Sequence, residues 1–299
     1  MKITVGDHQV TSKSHLKYLG VLIDARLNFR THIEYTTKKA ANIRAALERM
    51  MQNVGGPMQS KRKIISTVVS SVILYAAPIW SGALKVKSAA RKLKSVYRLS
   101  VLRVCCSYRT TSDEAAHVIA GMIPVDILAD EAKRMDEIRR DPNQIGTRVR
   151  KLEREASIRQ WQSRWEESRK GRWTFKLIPQ IDKWLNRRHG EVNYHLTQFL
   201  SGHGGYRSYL YRFGLDRSPY CPQCPNQVED PEHVVFKCPR FRHDIQKAEE
   251  AIESQQNPQN IVDIILNKRG NWDAISSMIK GIPVKRTTEE KLRKSQIVA

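Results

Sequence analysis

Val86-Lys-Ser-Ala-Ala-Arg-Lys-Leu-Lys-Ser-Val-Tyr-Arg-Leu-Ser-Val-Leu-Arg-Val104 carries two interleaved stripes. Val86, Ala90, Leu93, Tyr97, Val101 and Val104 recur at intervals of three or four, which places them on one face of an α-helix. Lys87, Arg91, Lys94 and Arg98 keep a similar spacing about one residue further round. The stretch therefore reads as an amphipathic helix over about 84–106, apolar toward a core and basic beside it. From Lys85 to Arg109 there are eight basic residues and no acidic one. Solvated faces usually mix signs, so Lys87, Arg91, Lys94 and Arg98 are expected to contact nucleic-acid phosphates.

Helical periods continue on both sides. Ile33, Ala40, Ile43, Leu47 and Met50 predict a helix from about Thr31 that Gly55-Gly56-Pro57 stops. A second, from about Ser60 to Tyr75, carries Val68, Val69, Val72 and Ile73. It is apolar nearly all round and is expected at the buried centre of a bundle, with Pro78 ending or kinking it near Ala77. Thr111-x-x-Glu114 reads as a capping box for a helix near 112–120, and Gly121-Met-Ile-Pro124 breaks the chain before another at about 125–140. Trp161 and Trp165, four apart, are expected to anchor a further long helix rather than stack bases. Helices at about 240–255 and 260–280 follow, with a polar, frayed tail from Lys285. Upstream, residues 3–24 are rich in β-branched residues, with a Gly6-Asp7 turn and a run at Tyr18-Leu-Gly-Val-Leu-Ile23. They predict a hairpin followed by a strand, too little sheet to stand alone. The expected fold class is mainly α with a small N-terminal β-hairpin.

The strongest chemical signal lies further on. Cys221-Pro-Gln-Cys224 is followed by eight residues, His233, four more residues and Cys238. Two cysteines separated by two residues aim both sulfurs at one spot, and the histidine and third cysteine complete the tetrahedron that structural zinc prefers. A closed four-ligand site folds a short module and leaves no position for catalysis. His243 is an alternative to His233. The other two of the five cysteines, Cys105 and Cys106, are expected as buried thiols. An odd count gathered in one metal-like cluster suits a reducing, intracellular compartment. Gly202-His203-Gly204-Gly205 lacks the lysine and hydroxyl of a phosphate-binding loop and reads as a turn packed against the zinc module. Asp126 and Asp130 read as surface carboxylates, and no Asp-Asp or Asp-x-Asp occurs, so no residue is assigned as catalytic. The net charge of +22 favours a polyanionic partner.

Several segments resemble the reverse transcriptases of non-LTR retrotransposons. Lys17-Tyr-Leu-Gly-Val-Leu-Ile-Asp24, with Leu27-Asn-Phe29 and His32-Ile33, resembles the end of the palm, where Tyr18, Leu19 and Gly20 would form the primer-grip turn. Leu74-Tyr-Ala-Ala-Pro-Ile-Trp80 resembles the thumb helix, and Tyr108–Glu114 with Ala120–Pro124 the segment after it. Gln198–Gly204, Arg212-Phe-Gly214 and Cys221–Phe241 are similar to the C-terminal gag-knuckle-like domain. The best match is the group inserting into arthropod ribosomal DNA, with the jockey-like group as neighbour, over roughly 1–245.

The resemblance implies the C-terminal piece of a Pol polyprotein: end of palm at 1–30, thumb-like helical bundle at 31–125, basic helical connector at 126–200, CCHC zinc-knuckle module at 201–245, and C-terminal helices and tail at 246–299. It departs from the family in lacking the Phe/Tyr-x-Asp-Asp turn that binds catalytic magnesium, an earlier aspartate and an apurinic-type endonuclease. Its knuckle also has a longer loop than the retroviral form. The implied parent is an RNA-directed DNA polymerase working by target-primed reverse transcription, in the nucleus at the site of insertion. The implied partners are RNA template and DNA target or primer, with zinc structural and magnesium confined to the missing catalytic part. The piece itself is expected to polymerise nothing. The alternative is a stand-alone zinc-dependent RNA- or DNA-binding protein, and a nuclease using His195, His203 and an acid is the weakest reading.

Overall fold

The computed structural model describes residues 2–11, 13–140 and 147–297; residues 141–146 of the expected connector and 298–299 of the expected tail lie outside it. Two antiparallel hairpins come first. β1 (Lys2–Val5) pairs with β2 (His8–Thr11), and β3 (His15–Tyr18) with β4 (Val21–Asp24), Tyr18 standing opposite Val21. The expected single hairpin plus strand is therefore two hairpins. Leu19 and Gly20 make the second turn with φ of 44° and 84°, the positive pair that matches strand twist in a tight hairpin. An apolar leucine in that place masked the turn signal.

Helices carry the rest. In chain order they are α1 (Arg30–Glu48), α2 (Gln59–Leu74), α3 (Ala77–Trp80), α4 (Lys87–Val104), α5 (Asp113–Ala120), α6 (Val125–Arg139) and α7 (Thr147–Glu167). Then follow α8 (Arg172–Leu177), α9 (Ile181–Leu185), α10 (Tyr194–Ser201), α11 (Arg207–Arg212), α12 (Arg242–Ile252), α13 (Ile261–Asn267) and α14 (Arg269–Ile297). The chain forms two compact units. One is Met1–Arg49, Ile65–Ser100 and Ile123–Ser157; the other is Met50–Ile64, Val101–Met122 and Ile158–Ala299. Among the described residues no single helix is long and apolar enough to cross a membrane.

In the first unit α1 lies against β4, with Ile33 and Ala40 buried and His32 Nδ1 accepting the Leu22 N–H at 3.3 Å. The expected stripe stops early: α1 ends at Glu48, and Met50 is exposed. The Ser66 and Ser100 hydroxyls meet at 2.7 Å and join α2 to α4. On α4 Ala90, Leu93, Tyr97, Val101 and Val104 are buried as expected. Val86 is not, because Ser81–Lys85 form a separate 3₁₀ turn and Val86 is extended between the two. Nor is α2 a buried centre. Val69 and Ile73 are covered, while Ile64, Val68 and the neighbouring Tyr75 face solvent; composition cannot say which side of an apolar helix has a partner.

In the second unit α5 is capped one residue later than expected. The Ser112 hydroxyl accepts the Ala115 N–H at 3.2 Å, while buried Thr111 accepts from Ser107. The tryptophans are core anchors: Trp161, Trp165 and Trp184 are buried, with indole N–H groups of the last two donating to the Ile178 and Ile119 carbonyls. The expected helix near 260–280 is two helices, and the frayed tail is part of α14, which runs through Pro283 to Ile297. A proline inside a helix forfeits one backbone bond; the buried face of Ile275, Met278, Ile279 and Ile282 outweighs that loss.

Candidate metal centre and nucleic-acid surfaces

The cysteine pair is set by backbone bonds within a short loop. The Cys221 N–H donates to the Gln227 carbonyl at 2.8 Å and the Gln227 N–H to the Cys224 carbonyl at 3.1 Å, with Asn226 at φ 65° making the reversal. Tyr220 and Val228 pair as an antiparallel bridge beside it. The Asp230 carboxylate then accepts the His233 N–H at 2.7 Å and starts a π-helical turn over His233–Lys237. The Cys238 N–H closes that turn on the His233 carbonyl at 2.7 Å. Sequence spacing offered the three cysteines with either His233 or His243; these bonds bring His233 to the cysteines.

One ligand atom from each of Cys221, Cys224, His233 and Cys238 lies within 4.8 Å of the others. The Cys238 sulfur is 3.8 Å from that of Cys221 and 4.0 Å from that of Cys224. A tetrahedral ion with zinc–sulfur bonds of about 2.3 Å separates its sulfurs by about 3.8 Å. His233 Nε2 is buried without a hydrogen-bond partner, as a ligand lone pair should be. The residues therefore fit structural zinc. His243 is exposed on α12 and outside the cluster. Burial pushes the Cys238 thiol up to about 12. Burial acts the same way on Cys221, but the backbone N–H groups of Gln223 and Cys224 pull it below the usual thiol range. A bound dication would hold both as thiolates.

The loop is docked, not free-standing. Glu229, between Cys224 and His233, is fully buried and ion-paired to Arg240 at 3.1 Å and to Arg286 of α14. Its backbone accepts the Ser208 N–H of α11 at 3.2 Å. Burial pushes its carboxyl above the usual range, against the pull of Arg286 and Arg240. Val234, Val235 and Phe241 add a buried apolar base.

Beside the module stands a surface of which the sequence reading noted only Arg212-Phe-Gly214. Tyr211, Phe213 and Tyr220 are exposed. The Arg212 guanidinium lies 5.0 Å over the Phe213 ring and 5.5 Å over the Tyr209 ring. Its signal was the alternation in Tyr209-Leu-Tyr-Arg-Phe213. The glycine cluster is a turn, as expected. His203 packs edge-on to Tyr209 at 5.0 Å, with Nδ1 at 2.7 Å from the Ser201 carbonyl, and burial lowers its pKa.

Of the basic face, Lys87, Arg91 and Lys94 are exposed and Arg98 is half-buried. Lys94 pairs with Asp126 at 2.8 Å, and that carboxylate, expected at the surface, is mostly buried. Tyr18 and Leu19 are exposed at the β3–β4 turn, next to Gly20. Cys105 and Cys106 are buried, and burial pushes the Cys105 thiol up to about 12, so it is no nucleophile.

No family model matches the chain, and no solved structure does. Named proteins do. A retrovirus-related Pol polyprotein from type-1 retrotransposable element R1 of Nasonia vitripennis is 30% identical over 253 residues, 77% of this chain and 73% of the relative. Its counterpart from Bradysia coprophila is 27% identical over 257 residues, 80% of this chain. A putative 115 kDa protein in type-1 retrotransposable element R1DM of Drosophila melanogaster is 28% identical over 244 residues. The chain spans only 25% and 24% of the length of these last two. The chain belongs to the Pol polyprotein family of the type-1 retrotransposable element R1, a non-LTR retrotransposon.

Proposed function

We propose that this chain is the C-terminal nucleic-acid-holding part of an RNA-directed DNA polymerase that copies its RNA at a nicked DNA target in the nucleus. The observation that carries the reading is the Cys221, Cys224, His233 and Cys238 set, anchored beside exposed aromatics and arginines in a chain of the R1 Pol family. Zinc at those four residues would fix the loop and supply no reaction. Tyr211, Phe213 and Tyr220 offer faces on which unpaired bases of RNA or DNA stack, with Arg212 to meet phosphates. Lys87 and Arg91 of α4 hold the template–primer duplex through its backbone, joined by Lys94 and Arg98 once phosphates replace their protein partners. Tyr18, Leu19 and Gly20 support the primer strand as a primer grip. The thumb-like part is 31–125 and the connector 126–200. Magnesium and the nucleotidyl transfer it supports belong to catalytic residues outside this sequence, and an endonuclease likewise. Membership of the Pol family weighs against a stand-alone zinc protein.

The test is binding of the zinc-loaded chain to labelled single-stranded RNA and to an RNA–DNA duplex across a salt series. Affinity falling steeply with salt, with no magnesium-dependent nucleotide incorporation, is expected. Salt-independent binding, no binding, or incorporation by the purified chain would overturn the reading.

A further inference from the structure

We propose that a cleft in the second unit, walled by Lys63, Arg187 and Arg188, holds the phosphodiester backbone of a single nucleic-acid strand. The inference rests on the nucleic-acid reading above but concerns residues that belong neither to the zinc module nor to the basic face of α4. The cavity measures about 680 Å³. A second depression of about 730 Å³ shares Arg187, Arg188 and His189 with it, so the basic edge continues from one into the other. A continuous edge suits a chain of phosphates better than one small anion.

Charge in the cleft is poorly balanced. The Lys63 Nζ and an Arg187 guanidinium nitrogen lie 3.1 and 4.0 Å from the point where a Cβ on Gly121 would stand. Among the described residues Arg187 donates only to neutral oxygens: the Trp184 carbonyl at 2.6 Å, Gln59 Oε1 at 3.0 Å and the Gly190 carbonyl at 3.3 Å. Its guanidinium lies 4.4 Å over the Trp184 ring, so it is fixed in place. Of the two lining carboxylates, Asp273 pairs with Arg269, and Glu191 accepts the Ser60 N–H at 3.3 Å. Three cations thus face one carboxylate. Burial, and then the nearby Arg187, lower the Lys63 pKa to about 8, with Glu191 pulling the other way. A phosphate would relieve that repulsion and restore the full ammonium. The wall is rigid as well: Trp272 lies so close to Gly190 that a Cβ there would fall 2.1 Å from the indole.

The experiment measures anisotropy of a labelled single-stranded RNA with the zinc-loaded 299-residue chain, its Lys63→Gln and Arg188→Gln variants, and the double variant. Each lost phosphate contact on a single strand should flatten the log–log salt slope by about 0.7 and weaken low-salt binding roughly threefold to tenfold. Arg188 is exposed, so its variant should keep the wild-type circular dichroism. Acylation at pH 8 followed by mass spectrometry should label Lys63 in the free protein and spare it in the complex. Wild-type protein that binds no RNA would sink the underlying reading. Wild-type binding with an unchanged slope in the double variant, or Lys63 labelled equally with and without RNA, would sink the cleft alone.

Discussion

The Tyr75 hydroxyl donates to the Leu19 carbonyl at 2.9 Å, and its ring lies 3.2 Å from where a Cβ on Gly20 would stand. The exposed β3–β4 turn is therefore held from the end of α2, with a leucine in the left-handed region that costs a non-glycine residue about 1 kcal/mol. Tyr75→Phe keeps the ring and removes the bond. It should loosen the turn by about 1 kcal/mol, read as faster amide exchange at Leu19 and Val21. Gly20→Ala should do more, since it adds strain and meets the ring. Equal exchange in all three proteins would show that the clamp has no effect.

Zinc content should follow His233, not His243. His233→Ala is expected to lose the metal and unfold residues 215–245, whereas His243→Ala should retain one zinc per chain by atomic absorption. Cobalt substitution gives a second reading: three thiolates should produce an intense sulfur-to-cobalt charge-transfer band that Cys224→Ser weakens. Full metal retention by His233→Ala refutes the ligand set.

Glu229 binds two guanidiniums in a fully buried place. Removing the carboxylate takes an ion-pair partner from both buried guanidiniums, a loss on the order of 3–5 kcal/mol for buried pairs. Glu229→Ala should therefore release zinc to a chelator at least tenfold faster, although it removes no ligand. Release at the wild-type rate would mean the docking does not support the metal loop.

Acid should weaken the first unit through His32. Burial lowers its pKa from 6.5, and its Nδ1 must stay unprotonated to accept the Leu22 N–H. A depressed pKa means that the unfolded chain takes the proton first. The stabilisation is thus full above about pH 6.5 and is lost as pH falls through the lower folded value. An NMR titration of the imidazole should show a midpoint below 6.5. A midpoint at or above it would reverse the sign.

Periodicity revealed what depends on one element and its own face. The buried stripe from Ala90 to Val104 was legible, as were the tryptophan anchors and the three cysteines of a cluster that fits zinc. Features that depend on distant partners were not. The exposed face of α2 looks apolar whether or not anything covers it. A helix near 260–280 and a tail from Lys285 read as separate until the packing of Ile279 and Ile282 is known. Ser112 and Thr111 are equally good caps in a sequence, and only the burial of Thr111 decides between them. The juxtaposition of Lys63 and Arg187 brings together segments with no shared local pattern.

Glu229 and Arg286 stand 57 residues apart, with two whole helices between them in the chain. A metal loop tied to so remote a residue does not travel as a cassette. Exchanging it between elements of this kind would demand the matching C-terminal helix, so the two should be inherited as one piece, and a change at either position should be answered at the other.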